Sequence, residues 1–188
     1  TIKIPKQKYD NTIEAFTVEA DWSAASYWYE IASLSDHAEL TIHGLNKNSL
    51  QGDSVVASLF KPLGVETTFF ENKIHLTKKN TKVNSTTFSF NFIENPDIAQ
   101  TMAVTLASLN IPFYFEGLET LKIKETNRIE ALKKELSKLG IVLSEPENGK
   151  LAWNGKIDTQ KIQAPATIAT YNDHRMAMAY APAALKHH

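Results

Sequence analysis

At 188 residues, with 43% apolar and 22% charged side chains, the chain has the makeup of an ordinary globular protein, long enough to bury a core as one large domain or two small ones. A net charge of −1 excludes a molecule-wide electrostatic footprint for nucleic acid or an acidic membrane surface, so any cation-rich site must be local. The absence of cysteine excludes disulfides, thiolate metal sites and a cysteine nucleophile within these residues.

Apolar periodicity predicts alternating strands and helices. Phe16–Ala20 reads as a strand, and Asp21–Leu34 as a helix with Ala24, Ala25, Trp28, Ile31 and Ala32 on one face. Glu39–Ile42 is a strand, a helix runs from about Ser49 to Leu63, and the short strands Val65–Phe70 and Lys73–Leu76 precede a polar linker, Lys78–Ser85. The pattern then restarts. Strand Phe88–Ile93, helix Asp97–Leu109, strand Pro112–Phe115 and helix Glu125–Leu139 come in order. Ile141–Leu143 and Lys150–Trp153 are expected to pair around Glu147–Asn148–Gly149. Thr167–Thr170 starts a third round as a strand. Asp173–Leu185 is its helix, which Pro182 would shorten.

The spacing is regular. Asp97 lies 76 residues after Asp21 (97 − 21) and 76 before Asp173 (173 − 97), and Gly140 lies 76 after Gly64 (140 − 64). Each aspartate falls where a strand hands over to a helix, an N-cap position, and each glycine comes just after a helix ending in Leu-Gly. The reading is an α/β chain of the α+β type built from βαβαββ units, at residues 14–78, 86–155 and, in part, 165–186. Residues 1–188 would form a single domain. The chain opens on Thr1 and closes on His187–His188, so it is expected to be an excised piece of a longer protein with a tag remnant at 187–188.

Helix starts of such units gather free N–H groups at one end, which suits anionic ligands. Where the first unit has Asn48–Ser49–Leu50–Gln51–Gly52–Asp53, the second has Lys124–Glu125–Thr126–Asn127–Arg128–Ile129. Lys124 and Arg128 are four apart and would project from one face of the helix start, where the dipole opposes cations. The plainer reading is a solvated charged helix. The third unit adds Asp173, His174 and Arg175 at one helix start, and an arginine fork matches a carboxylate or phosphate. Asp173 alone needs only a capping role, and a lone histidine is more often structural than catalytic.

Taken together, Lys124–Ile129 with Leu139–Gly140 beyond it, and Tyr171–Met178 (YNDHRMAM), resemble two signatures of the 3-phosphoshikimate 1-carboxyvinyltransferase (EPSP synthase) family. Val18–Ala25 resembles the family's VEGD-x-S-x-A stretch, Asn48–Asp53 its NS-x-QGD stretch, and Pro96–Ala99 its PD-x-A stretch. The resemblance covers residues 14 to 185 in order. Asn127 stands where the family usually has aspartate, Ala20 where it has glycine, and Thr120 where some members have asparagine.

The resemblance implies a two-domain enzyme with its active site in the cleft between the domains. This chain would be most of the later domain, without the other domain and the last segment. The implied reaction moves the enolpyruvyl group of phosphoenolpyruvate to the 5-hydroxyl of shikimate 3-phosphate and releases phosphate, on the route to chorismate and aromatic amino acids. No cofactor or metal is implied. On the matching positions, Asp97 and Glu125 would be catalytic; Asp97, Lys124 and Thr120 would bind shikimate 3-phosphate; and Arg128, Arg175, His174 and Asp173 would hold phosphoenolpyruvate. A chain supplying only one wall would be inactive alone. Expected partners are the two substrates and the missing domain, with no nucleic acid or membrane and a monomeric state. A cytoplasmic location is expected from the family and from the lack of an apolar run near the ~18 residues that span a bilayer. The competing readings are UDP-N-acetylglucosamine enolpyruvyl transferase, which does not resemble this chain at Lys124–Arg128 and Asn172–Met178, and a non-catalytic anion-binding module on the same fold.

Overall fold

Residues 2–8, 15–80 and 86–187 are described by a computed structural model; residue 14, which bounds the first unit, and part of the expected linker lie outside them. Helix α1 (Trp22–Leu34) begins where the Asp21 carboxylate accepts from the Ser23 N–H at 2.8 Å. Strand β1 (Glu39–His43) comes next, then a 3₁₀ turn (Gly52–Val55), helix α2 (Val56–Phe60) and a second 3₁₀ turn through Pro62. Strands β2 (Val65–Phe70) and β3 (Lys73–Lys78) form a hairpin, and β3 also pairs with β1, giving an antiparallel sheet in the order β1-β3-β2.

The second half repeats the theme with a different sheet. Strand β4 (Phe88–Asn91) runs parallel to β5 (Phe113–Glu116), and β6 (Leu151–Trp153) lies antiparallel on the other side of β5. Between them come helix α3 (Ala99–Ser108), a 3₁₀ turn (Glu119–Ile123) and helix α4 (Arg128–Ser137). Helix α5 (His174–Tyr180) ends the chain with a 3₁₀ turn from Ala181. All ten residues of α3 are buried, because α1, α4 and α5 pack around it. Its composition of apolar and uncharged polar residues permits this. Gly64 and Gly140 both hold left-handed φ, 86° and 78°, where each helical segment ends and the chain changes direction.

Several expectations are corrected. Phe16–Ala20 joins no sheet: Phe16 and Val18 stand exposed, and the one backbone–backbone bond among the described residues of the segment runs from the Ala20 N–H to the Gly44 carbonyl, at 2.8 Å. The face of α1 is misjudged at two positions, since Ala24 and Trp28 are exposed while Ser26, Glu30 and Ser33 are buried. Ser26 and Glu30 meet the likewise polar side of α3, and Ser33 Oγ donates to the Leu63 carbonyl, so burial is set by the neighbour rather than by hydropathy. The helix over 49–63 is broken, because Ser49 and Gln51 are drawn into an extended segment by Glu19. Ile141–Leu143 does not zip against Lys150–Trp153; β6 takes β5 as its partner and leaves single bridges, Ser144 to Ala152 and Ile141 to Ile157. Thr167–Thr170 forms no strand. Pro182 does mark the end of α5.

Candidate functional site

Of the three equivalent aspartates, two cap helices and one does not. Asp21 accepts from Ser23 N–H and Asp173 from Arg175 N–H, at 2.8 and 2.9 Å. Asp97 lies inside a 3₁₀ turn (Pro96–Ile98) ahead of α3 and makes no cap hydrogen bond, contrary to its expected N-cap role. Pro96 at the first position sets that turn, so the carboxylate is released sideways instead of folding back over the helix end. It meets three cations. Arg128 Nη1 lies 3.0 Å from Oδ1, Lys124 Nζ 3.4 Å from Oδ1, and Arg175 Nη2 3.4 Å from Oδ2.

The cations reach this point by different routes. Asn127, not a residue further upstream, caps α4 by accepting from Glu130 N–H at 3.2 Å, so α4 starts at Arg128. Lys124 and Glu125 therefore belong to the extended lead-in and not to a shared helix face with Arg128, as the sequence spacing suggested. Convergence survives because the lead-in folds back over Asp97. Arg175 comes from the first turn of α5, where the Asp173 cap fixes its backbone.

Arg128 is the hub. Its side chain is 1% exposed, and its donors fan out to three carboxylates: Nε to Asp173 Oδ2 (2.7 Å), Nη2 to Asp173 Oδ1 (3.2 Å) and Glu125 Oε2 (2.7 Å), and Nη1 to Asp97. Burial works against the guanidinium charge, but Asp173, Glu125 and Asp97 outweigh it and hold Arg128 above its ordinary value. Burial likewise pushes Asp173 up, yet Arg128 and the N–H groups of Arg175 and Met176 win and keep that carboxyl below its usual range. Gln100, in the first turn of α3, satisfies both ends of its amide with its oxygen toward Arg128 Nε (3.1 Å) and its nitrogen toward the Pro96 carbonyl (3.3 Å).

The remaining predicted residues stand apart. His174 is exposed on the first turn of α5, and Thr120 is exposed on the 3₁₀ turn before Lys124; among the described residues neither makes a side-chain hydrogen bond to the cluster. Conversely, the first unit contributes side chains that sequence reading did not assign. Ser23 Oγ donates to the Asp53 carboxylate, and burial, with Asp97 adding repulsion, raises the Asp53 carboxyl despite that bond. The buried Tyr27 hydroxyl sits in the field of Arg175 and Arg128 without a well-formed hydrogen bond. The only signal for Asp53 was its place in the Gln51–Gly52–Asp53 stretch. Glu19 is a local staple: it accepts from Trp22 Nε1 (3.0 Å), Asn46 N–H (3.0 Å) and Ser49 Oγ (2.6 Å), which hold its carboxyl below the ordinary value against the opposing effect of burial.

Three cations gathered on one carboxylate at the shared end of several helix starts make up, on this α/β fold, a set of donors with the chemistry to suit a small anion. The particular family emerges from comparison: the sequence model of the EPSP synthase (3-phosphoshikimate 1-carboxyvinyltransferase) family matches residues 2–188, and the chain belongs to that family. A 3-phosphoshikimate 1-carboxyvinyltransferase of Bacteroides fragilis is 53% identical over 170 residues, covering 90% of this chain and 40% of the relative. The chloroplastic enzyme of that name in Petunia hybrida is 33% identical over 183 residues, 95% of this chain and 34% of the relative. In three dimensions, EPSP synthase from Acinetobacter baumannii superposes with a TM-score of 0.66 at 18% identity, over 90% of this chain and 40% of that one, which is a likeness of fold. The chain spans about two fifths of the length of the Bacteroides relative. No described helix is long and apolar enough to cross a membrane.

Proposed function

We propose that this chain supplies one wall of an active site that transfers the enolpyruvyl group of phosphoenolpyruvate to the 5-hydroxyl of shikimate 3-phosphate. The observation that carries the reading is Asp97, released from helix capping and ringed by Lys124, Arg128 and Arg175. In the addition step the hydroxyl oxygen bonds to the substituted enol carbon, and its proton goes to a base while the methylene carbon takes a proton. In the elimination step phosphate leaves and the new methyl carbon gives a proton back. Asp97 is suited to accept the hydroxyl proton, and Glu125, half exposed beside it, to shuttle the carbon-bound proton. Arg128 and Arg175 are suited to the carboxylate and phosphate of phosphoenolpyruvate, with Lys124 turned to the acceptor's phosphate. Asp173 orients Arg128, and His174 and Thr120, both exposed, are free to meet a ligand or a second wall.

The second wall is a further domain of the same protein. Leu50 and Ile123, almost fully exposed in the segments that enter the site, support an apolar rim that another surface covers. The division into units over 14–78, 86–155 and 165–186 within one domain rests on the 76-residue spacing together with the matching left-handed turns at Gly64 and Gly140. A cytoplasmic, monomeric enzyme is the corresponding reading of location and assembly.

A chimera tests it. When this chain replaces the matching 170 residues of the Bacteroides fragilis relative, phosphate release from the two substrates should persist, and Asp97→Ala should cut it by about 10²-fold or more. The 188-residue chain alone should give no turnover. Turnover of the Asp97→Ala chimera within a few-fold of its parent would sink the assignment, and activity of the chain alone would remove the need for a second wall.

A further inference from the structure

The formal charges of the cluster cancel: Lys124, Arg128 and Arg175 face Asp97, Glu125 and Asp173. An incoming anion therefore meets a neutral group of charges, not an open cationic pocket, and gains little Coulomb attraction unless a carboxylate gives way. The three carboxylates differ in how firmly they are held. The Asp173 side chain is 0% exposed, makes two bonds to Arg128 and caps α5, so it is an anchor. The Asp97 side chain is 28% exposed, and two of its three cations stand at 3.4 Å, well beyond the ~2.7–2.9 Å of a tight charge-assisted bond. Glu125 is 50% exposed, lies in the lead-in loop and holds Arg128 through one contact.

Resting on the anion-site reading above, we infer that Asp97 and Glu125 act as an internal anion that occupies the outward donors of Arg128, Arg175 and Lys124 until a ligand phosphate or carboxylate takes their place. The device keeps three like charges ordered that otherwise would repel and splay. It also sets affinity by exchange of one anion for another, with Asp173 keeping the Arg128 fork in register throughout. The same exchange frees both carboxylates for proton transfer only once the ligand is seated.

The test is phosphate binding by the 188-residue chain, monitored through the side-chain N–H signals of its arginines during titration with inorganic phosphate. Asp97→Asn, which keeps the shape and removes the charge, should bind phosphate about fivefold more tightly than the parent, the scale of about 1 kcal/mol set by neutralising one partly exposed carboxylate. Glu125→Gln, at a loop position where folding is not at stake, should bind more tightly too, and adding Arg175→Gln should erase the gain. Binding by Glu125→Gln or a folded Asp97→Asn that equals or falls below the parent's would overturn the inference. Turnover is not read here, so an inactive chimera with tightened phosphate binding would refute the proposed reaction and leave the internal anion standing.

Discussion

Arg128 and Asp173 form a pair in which neither charge can be left alone. Removing one partner from a buried ion pair strands the other, at a cost of about 3–5 kcal/mol. Arg128→Met is therefore expected to lower the melting temperature by roughly 10 °C, at about 2–4 °C per kcal/mol for a chain of this size, as measured by thermal circular dichroism. Asp97 should behave differently. It caps nothing, so Asp97→Ala should cost less stability than Asp21→Ala, whose lost cap is worth about 1 kcal/mol. If the two melts rank the other way, holding Lys124, Arg128 and Arg175 together is worth more to the fold than a helix cap. At this scale the sequence named the charged residues of the cluster, but it could not tell a capping aspartate from a free one. The 76-residue spacing treats Asp21, Asp97 and Asp173 alike, and only the turn at Pro96 separates them.

Among the elements, α4 is tied to the approach of α5 by one buried carboxylate. Glu135 accepts from Ala169 N–H (2.9 Å), the Tyr171 hydroxyl (2.6 Å) and Lys138 Nζ (2.5 Å), so the irregular segment before Asp173 is held against α4 without being a strand. Burial opposes the Glu135 charge, but Lys138, Tyr171 and the Ala169 N–H prevail and hold its carboxyl below the usual range. A carboxyl lowered in the folded state adds stability above its unfolded value of about 4.3 and loses it as pH falls through the lower folded value. The phenol of Tyr171 moves the other way, pushed up to about 12 by burial and by Glu135. Glu135→Ala should speed amide hydrogen exchange at Ala169 at least about tenfold, since a hydrogen bond to a charged acceptor is worth ~1.5–3 kcal/mol. Unchanged exchange there would show that other contacts hold the segment. The sequence marked Thr167–Thr170 as the strand that starts a third repeat, yet a strand needs a ladder partner, and here a glutamate side chain takes that place.

Across the whole molecule, α1 and α3 meet along a polar seam, with Ser26 Oγ 3.2 Å from Thr101 Oγ1. Glu30 lies in it fully buried, with no hydrogen-bond partner for either oxygen among the described residues. Burial pushes its carboxyl well above the ordinary range, with only Thr105 pulling the other way. The folded chain thus binds a proton there that the unfolded chain releases near pH 4.3, and stability falls as pH rises from that value toward the folded one. Glu30→Gln should remove this slope, so that the melting temperature of the variant gains on the parent's between pH 5 and pH 8. A parallel pair of curves would mean that Glu30 has a partner in solution.

The sequence alone determined what is carried by short-range chemistry: the helix starts at Asp21 and Asp173, the left-handed turns at Gly64 and Gly140, and the strands β2 and β3. Its motif order also pointed to the family. Tertiary structure decided the rest. It chose which face of α1 is buried, because that depends on the polar side of α3, 75 residues away for Ser26 and Thr101. It gave β6 to β5 and left Phe16–Ala20 unpaired, because ladder partners are set by packing and not by alternation. Above all, it turned three charged helix starts into one neutralised cluster, because only the fold brings Asp97 and Asp173 within hydrogen-bond reach of Arg128.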